Sequence, residues 1–378
     1  MKIKISSLIS IVFIHAIIIK LQFFKNYQTF SILLSSILLL ILITKIKIFD
    51  KKYIKIHMLL LFFLITLLIS AINNKSNIML GGAYAIKVAD IYLYWEYISN
   101  NKLQKQTMKK ILIILGIYII FNDILAIVKP NIFTPINSSL TIYLLGTKFT
   151  VAYLHLLLYS IYSSYMWNEK SFLNIKVTKI ILLSITLIMA IITECSTAII
   201  GIIIIVAMEK IIRNKRKSIN AFIFILTLLL SFLIIYQIGF LLQARPVQYV
   251  IVNVLHEDLT LTGRINIYNE ISNILLEHKL LGYGYGKSYD TIMSRIGYAD
   301  SQNALMECII NYGIIGTGVL LLIFYFSIKL SNGNEKKFYI MIYLYAMVAM
   351  GVVEITINLL FIFAVSMMID ENNKIGVR

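Results

Sequence analysis

Charge is scarce in this chain: Asp, Glu, Lys and Arg together make up 14% of 378 residues, whereas 59% are hydrophobic. Soluble globular domains carry roughly a quarter charged residues. With a mean hydropathy of +0.85, water is not the main solvent of this protein. Cysteine is scarcer still. Cys195 and Cys308 have no CxxC spacing and no nearby histidine, so they specify neither a disulfide framework nor a metal site, and a structural role is expected for both. The sequence has no Asp-x-Asp pair, HExxH, P-loop or GxSxG. Support is therefore lacking for a divalent-metal sugar-nucleotide enzyme, a zinc protease, an ATPase or a nucleophile-elbow hydrolase. No period of 20 to 50 residues recurs, and no low-complexity tract stands out beyond richness in Ile and Leu. No cleavable signal peptide is expected, because the apolar stretch 5–24 lacks a small-residue cleavage site and further apolar stretches follow it.

What the chain has is apolar length. A helix needs about 20 apolar residues to cross a hydrocarbon layer roughly 30 Å thick. Apolar runs bounded by charge give twelve candidate spans: 5–24, 29–44, 56–72, 78–98, 111–128, 149–167, 177–193, 197–212, 219–242, 304–328, 338–353 and 355–370. The stretch 338–370 reads as two short spans or one long tilted helix. The expected fold is all-α: a single integral membrane domain over 1–378, a polytopic transmembrane helical bundle of about 12 spans with one large extracytoplasmic loop at 243–303.

The formal net charge of +17 would suggest nucleic acid for a soluble protein, but here Lys and Arg sit in short runs between apolar segments, where they set orientation. No nucleic-acid partner is expected. With the N-terminus inside, 24 of the 35 basic residues fall on inner segments, 10 on outer ones, and Lys87 within a span. That asymmetry predicts a multi-pass protein of a bacterial plasma (inner) membrane with both termini cytoplasmic. The 243–303 loop far exceeds the usual connection of about 4–6 residues. Its apolar stretches 250–255 and 271–276, Pro246 and a glycine cluster predict local structure.

Within the loop, Ile265, Tyr268, Ile271, Ile274 and Leu275 recur at helical spacing after Leu261-Thr262-Gly263-Arg264. Thr262 suits an N-cap, so an amphipathic helix on the outer surface would begin with Arg264 in its first turn. Unsatisfied N–H groups at a helix start, joined by arginine, make a site for an anion such as diphosphate. The alternative is an arginine snorkelling to lipid phosphates. Leu281-Gly282-Tyr283-Gly284-Tyr285-Gly286 permits close backbone approach and offers tyrosines to sugar faces, or is a plain surface turn. Asn303, Glu307 and Asn311 form a polar stripe at i, i+4, i+8, expected to face a cavity open to the outer side or to hydrogen-bond between helices. Gly313, Gly316 and Gly318 below it suggest close packing. Other polar residues in or beside spans are Lys87 with Asp90, three apart and expected to neutralise each other, and Asp123, His155, Glu194 and Glu354.

The order of these features resembles the O-antigen ligase and polymerase family, the Wzy-type polymerases of O-antigen and capsule synthesis. The resembling pieces are Cys195-Ser196-Thr197-Ala198-Ile199-Ile200-Gly201, Thr262-Gly263-Arg264, Leu280 to Gly286, Gln302-Asn303 and Tyr312-Gly313-Ile314-Ile315-Gly316. The resemblance implies an undecaprenyl-diphosphate-linked oligosaccharide as substrate, whose glycan is transferred at the outer leaflet from one lipid carrier to the sugar of another. Membrane lipids, a chain-length regulator and a flippase of the same pathway are the implied partners, and no cofactor or metal is implied. Arg264 and Arg245 would bind the diphosphate, arginine offering a bidentate fork to the charge developing there. Relatives often place a histidine, a candidate general base, where this chain has Gln302, which takes no proton. Asp300, Glu307, Glu257, His256 and His278 remain as bases, with Gln302 orienting the acceptor. The expected catalytic set is Arg264, Gln302, Glu307 and Asp300, and the substrate-binding set is Arg245, Gly282, Tyr283, Gly284, Tyr285 and Asn303. A ligase of the same fold and a lipid-linked oligosaccharide flippase or transporter are the alternatives.

Overall fold

The computed structural model describes residues 5–19, 27–46, 51–135, 141–167, 172–212, 218–236, 244–249, 252–253, 264–298, 301, 303–331, 334–351 and 359–369. These residues form an almost wholly helical bundle. In chain order the helices are α1 (Ile5–Phe13, continued by a π turn Ile14–Ile18), α2 (Tyr27–Lys45), α3 (Ile54–Asn73), α4 (Ile78–Asn100), α5 (Gln104–Val128), α6 (Lys148–Tyr165), α7 (Phe172–Ile192), α8 (Ser196–Ile211) and α9 (Ala221–Tyr236). The loop region contributes α10 (Arg245–Tyr249), α11 (Arg264–Glu277) and α12 (Ser288–Ile296), and the chain continues through α13 (Ala304–Lys329), α14 (Phe338–Ala349) and α15 (Leu359–Ser366). The only strands among the described residues are Ile142–Tyr143 and Gly146–Thr147, a two-stranded antiparallel pair between α5 and α6.

The bundle has two layers of different chemistry. On α5, Ile113, Ile117, Ile120 and Ile124 recur at helical spacing and are all exposed, as are Leu33, Ile37 and Leu40 on α2 and Ile180, Ile188 and Ile191 on α7. An apolar stripe turned outward is unfavourable in water and is what a lipid solvent requires. Five helices, Tyr27–Lys45, Ile54–Asn73, Gln104–Val128, Asn174–Ile192 and Ala304–Lys329, are long and apolar enough to cross a membrane. Ser6–Ile18 and Ala221–Leu233 are apolar but shorter. The remaining expected spans are helices of shorter or more polar make-up. The reason is clearest for α4 and α6, which the other helices surround. Protein rather than lipid lies against them, so α4 accommodates Lys87, Asp90 and Glu96, and α6 accommodates His155.

At the centre Phe13 stacks on Tyr94 with ring centroids 3.8 Å apart, and the buried Trp95 indole donates to the Ile369 carbonyl at 3.0 Å. The two cysteines are free and buried. Within 338–370 the described residues form two helices in contact, α14 and α15, the first ending just before Gly351 at φ +59°.

α13 packs on α3 and α9 and anchors the loop region. It starts cleanly because the Asn303 side chain accepts from the N–H groups of Leu305 and Met306 at 3.0 and 3.1 Å, the ordinary asparagine cap. It then breaks at Gly313 (φ 67°, ψ −177°). That is a conformation essentially reserved for glycine.

Candidate active site

The break in α13 and the glycine-tyrosine loop explain each other. A broken helix within a span leaves backbone groups that lipid cannot satisfy. Here the loop satisfies them: Ile314 N–H donates to the Lys279 carbonyl (2.8 Å), Ile315 N–H to the Leu280 carbonyl (3.2 Å), and Tyr283 N–H to the Ile310 carbonyl (2.6 Å). The break lies nine residues into the helix, about 14 Å at 1.5 Å per residue, so residues 279–284 enter the bundle and do not merely cap it. The approach leaves no space for side chains. A Cβ on Gly313 would lie 2.1 Å from the Leu280 carbonyl oxygen, and one on Gly282 would lie 2.5 Å from the Gly313 nitrogen. Gly284 rests as closely on Ser76, just beyond α3, and the Asn74 amide donates to both the Ser70 and Gly282 carbonyls at 2.8 Å. Of the glycines expected to pack closely, Gly313 and Gly316 do so, while Gly318 has nothing within 4 Å.

The polar stripe of α13 is buried against this loop. Glu307 accepts from Ser301 Oγ at 3.0 Å and from Asn311 Nδ2 at 3.1 Å, and Asn311 Oδ1 accepts from the Gly286 N–H at 3.2 Å. Asn303, Glu307 and Asn311 are all buried. Glu307 is therefore fixed in position, with one oxygen held by a hydroxyl and the other by an amide. Tyr285 sits beside it. Burial pushes the Tyr285 phenol above its usual range, and the Glu307 charge adds to the effect.

Alternate residues of the glycine-tyrosine loop face opposite sides. Tyr285 stacks on Tyr84 of α4 (centroids 4.4 Å, 11° between planes) and lies parallel to Tyr312. It lines a cavity of about 380 Å³ whose polar walls are Tyr27, Gln28, Ser31, Tyr84, Lys87 and Thr150. The cavity reaches from the bundle end that carries the 73–77 turn and the 279–287 loop, the loop end, down to Lys87 near the middle of α4. Lys87 is half-buried and is the cationic side chain of the described lining. Its neighbour Asp90 is fully buried, with Ser35 and Lys87 both acting on its carboxylate. The pair thus does more than cancel within the helix, because its cationic member reaches the cavity. The sequence signal was the charge at membrane depth.

Tyr283 faces the other way. Its hydroxyl donates to the Ile274 carbonyl at 2.8 Å, and its ring lies against His278 (centroids 4.3 Å). Burial raises its phenol to about 12. Below it, Ile267 and Ile274 of α11 are buried with Ile292, Met306 and Ile310. The loop helix therefore packs on α12 and α13 and does not lie alone on a lipid surface. Arg295 of α12 grips Glu277 of α11 bidentately, at 2.6 and 2.5 Å. The Arg295 guanidinium holds the Glu277 carboxyl below its ordinary value of 4.5. A depressed carboxylate stabilises the fold fully above its unfolded value, and that stabilisation is lost as pH falls through the folded one. Spin labels at Asn273 and Ser294 should therefore report a constant separation of α11 and α12 from neutral pH down to 4.5 and a widening below it, with Glu277→Gln already wide at neutral pH. The effect on total stability is small for a pair this exposed.

The other expected site residues are placed as follows. Arg264 is the first described residue of α11, and the residues before it lie outside the described ones. Arg245 opens the five-residue α10 and is exposed. Asp300, Gln302, His256, Glu257, Thr262 and Glu354 lie outside the described residues. Asp123 and His155 form a buried pair at 3.2 Å between α5 and α6, and Glu194 is exposed at a turn with φ +52°.

This assembly, a helical membrane protein with a polar loop docked into a broken helix, defines the class. Residues 181–321 match the family described as O-antigen ligase, a family of membrane glycosyl-transfer enzymes. The match spans a little over a third of the chain and contains every motif that carried the resemblance. The match is consistent with the resemblance to the O-antigen ligase and polymerase family. No curated protein and no solved structure matches significantly.

Proposed function

We propose that this protein is a polysaccharide polymerase that transfers undecaprenyl-diphosphate-linked glycan chains onto lipid-linked repeat units at the outer leaflet of a bacterial plasma membrane. The observation that carries the reading is the O-antigen ligase match over 181–321, the segment whose loop docks into α13. In this reading the chain crosses the membrane about twelve times with both termini cytoplasmic, and the 243–303 loop and the loop end of the bundle face outward. Arg264 and Arg245 take the diphosphate, and Lys87 adds a third cation from inside the cavity. These fixed charges offset the negative charge that develops on the leaving diphosphate without a metal ion. Glu307 or Asp300 takes the acceptor hydroxyl proton, Gln302 orients that hydroxyl, and a flippase and a chain-length regulator act before and alongside the polymerase.

Ligation of a finished glycan to a different acceptor is the second reading, favoured by the family's own description. The lipid-linked glycans of a deletion strain separate the cases. Products capped with a single repeat unit are expected. Long chains left unattached would mean a ligase, and units remaining on the cytoplasmic leaflet would mean a flippase.

A further inference from the structure

The glycine-tyrosine loop is a partition. On the side of Tyr283 it borders a second recess, a groove of about 300 Å³ between the α3–α4 turn and α12, at the lower end of the size range of small-ligand sites. Its walls include Asn73, Asn74, Lys75, His278, Tyr283 and Lys287. All its described lining residues carry polar side chains, and none is a carboxylate. We propose that this groove binds an acidic sugar, one bearing a carboxylate, of the glycan chain that the enzyme handles. The inference rests on the polysaccharide-assembly reading for its sugar.

The charges around the groove are distributed unevenly. Glu277, the carboxylate nearest Tyr283, is taken up bidentately by Arg295. Lys287 pairs with Asp290 at 3.3 Å, but both side chains are well exposed (43% and 65%), and a ligand carboxylate can displace so weak a surface pair. Lys75 has no ion-pair partner among the described residues. It stands at φ +49°, a strained conformation for a residue with a side chain that persists only where the surroundings enforce it. The enforcement is visible: Lys75 N–H donates to the Ile72 carbonyl, Ser76 N–H donates to the Ala71 carbonyl, and Asn74 ties the turn to Gly282. The turn thus presents a cation to the groove from one side while Lys287, just before α12, presents another.

Two lysines set for an anion, beside the amides of Asn73 and Asn74, match a carboxylate on a ring whose hydroxyls need donors and acceptors. A lipid headgroup would also satisfy the lysines, and the test separates it from the sugar. The groove also shares its wall with the Lys87 cavity.

The test is binding to the purified full-length protein in nanodiscs, read by isothermal titration. The probes are a glucuronate-containing tetrasaccharide, its carboxyl-reduced neutral form and glycerol 3-phosphate. The acidic tetrasaccharide should bind at least about tenfold more tightly than the neutral form, the scale of one charge-assisted hydrogen bond. Lys75→Gly and Lys287→Ala should each reduce that preference, and the double variant should abolish it. Lys75→Gly also relieves the backbone strain, so unchanged or raised thermal stability with lost binding shows that the cation, not the fold, is responsible. Equal binding of the two tetrasaccharides, or full binding by the double variant, overturns the proposal. Tighter binding of glycerol 3-phosphate, lost in the same variants, would make the groove a headgroup site and also overturn it. Because no transfer is measured, a parent protein that polymerises but shows no preference for the acidic tetrasaccharide refutes only the groove, whereas that preference beside an unchanged deletion-strain glycan profile refutes only the polymerase reading.

Discussion

Gly313→Ala is expected to destabilise the protein by roughly 4 kcal/mol, combining about 1–3 for a non-glycine residue in this backbone region with about 1–3 for overpacking. The added methyl would meet the Leu280 carbonyl oxygen at 2.1 Å and the Leu281 nitrogen at 2.4 Å. These are backbone atoms that cannot rotate away. Relief requires the loop to leave α13, which strips Ile310, Ile314 and Ile315 of their partners at membrane depth. The tilt of Tyr285 on Tyr84 and the fixing of Asn311 by Gly286 would go with it. Unfolding in detergent by heat or denaturant gives the measurement, with long-chain product as a second readout. Gly318→Ala, on the same helix with nothing within 4 Å, is the control and should behave as the parent. Gly282→Ala perturbs the same contact, so the double variant should add little to either single change. A Gly313→Ala protein as stable as the control would refute the docking of the loop into the helix break.

Arg264→Ala is expected to lower polymerisation by roughly a hundredfold or more, the usual loss when one donor to a developing charge is removed, while leaving the protein level intact. Arg264 is the first described residue of α11, and a helix start concentrates positive potential. Arg264→Lys should restore little, because an ammonium lacks the planar fork that holds two phosphate oxygens at once. Lys87→Met should also weaken transfer, through the cavity, but more mildly, since a single point charge is lost. Parent activity should survive chelator. The assay is chain extension from a lipid-linked repeat unit by purified protein. Activity retained in Arg264→Ala would remove the arginine from the chemistry, and activity lost in chelator would remove the metal-free mechanism.

The helix over 264–277 and the burial of Ile274 follow from helical spacing. The same spacing left Ile267 unremarked, although it is fully buried between α12 and α13, because both neighbours belong to distant parts of the chain. The polar stripe of α13 was legible as a stripe. Its hydrogen bonds to Ser301 and Gly286 were not, since a period along one helix says nothing about what lies across from it. The glycines of 282–286 pointed to close backbone approach, but the approached backbone, residues 310–315, was hidden. Lys87 was visible as a charge inside a span and was paired with Asp90 by spacing alone.

The sequence by itself determined the solvent, the helical class, the matched 181–321 segment and the presence of the loop helix, because hydropathy, charge runs and local motifs are properties of neighbouring residues. Only the tertiary structure decided which of the two loop tyrosines faces the Lys87 cavity and which the Lys75 groove, and that α13 breaks to receive the loop. Those outcomes depend on backbone hydrogen bonds between segments about thirty residues apart and on rings from α4, the loop and α13 stacking together. Such contacts follow from packing in three dimensions, which no local pattern in the chain encodes.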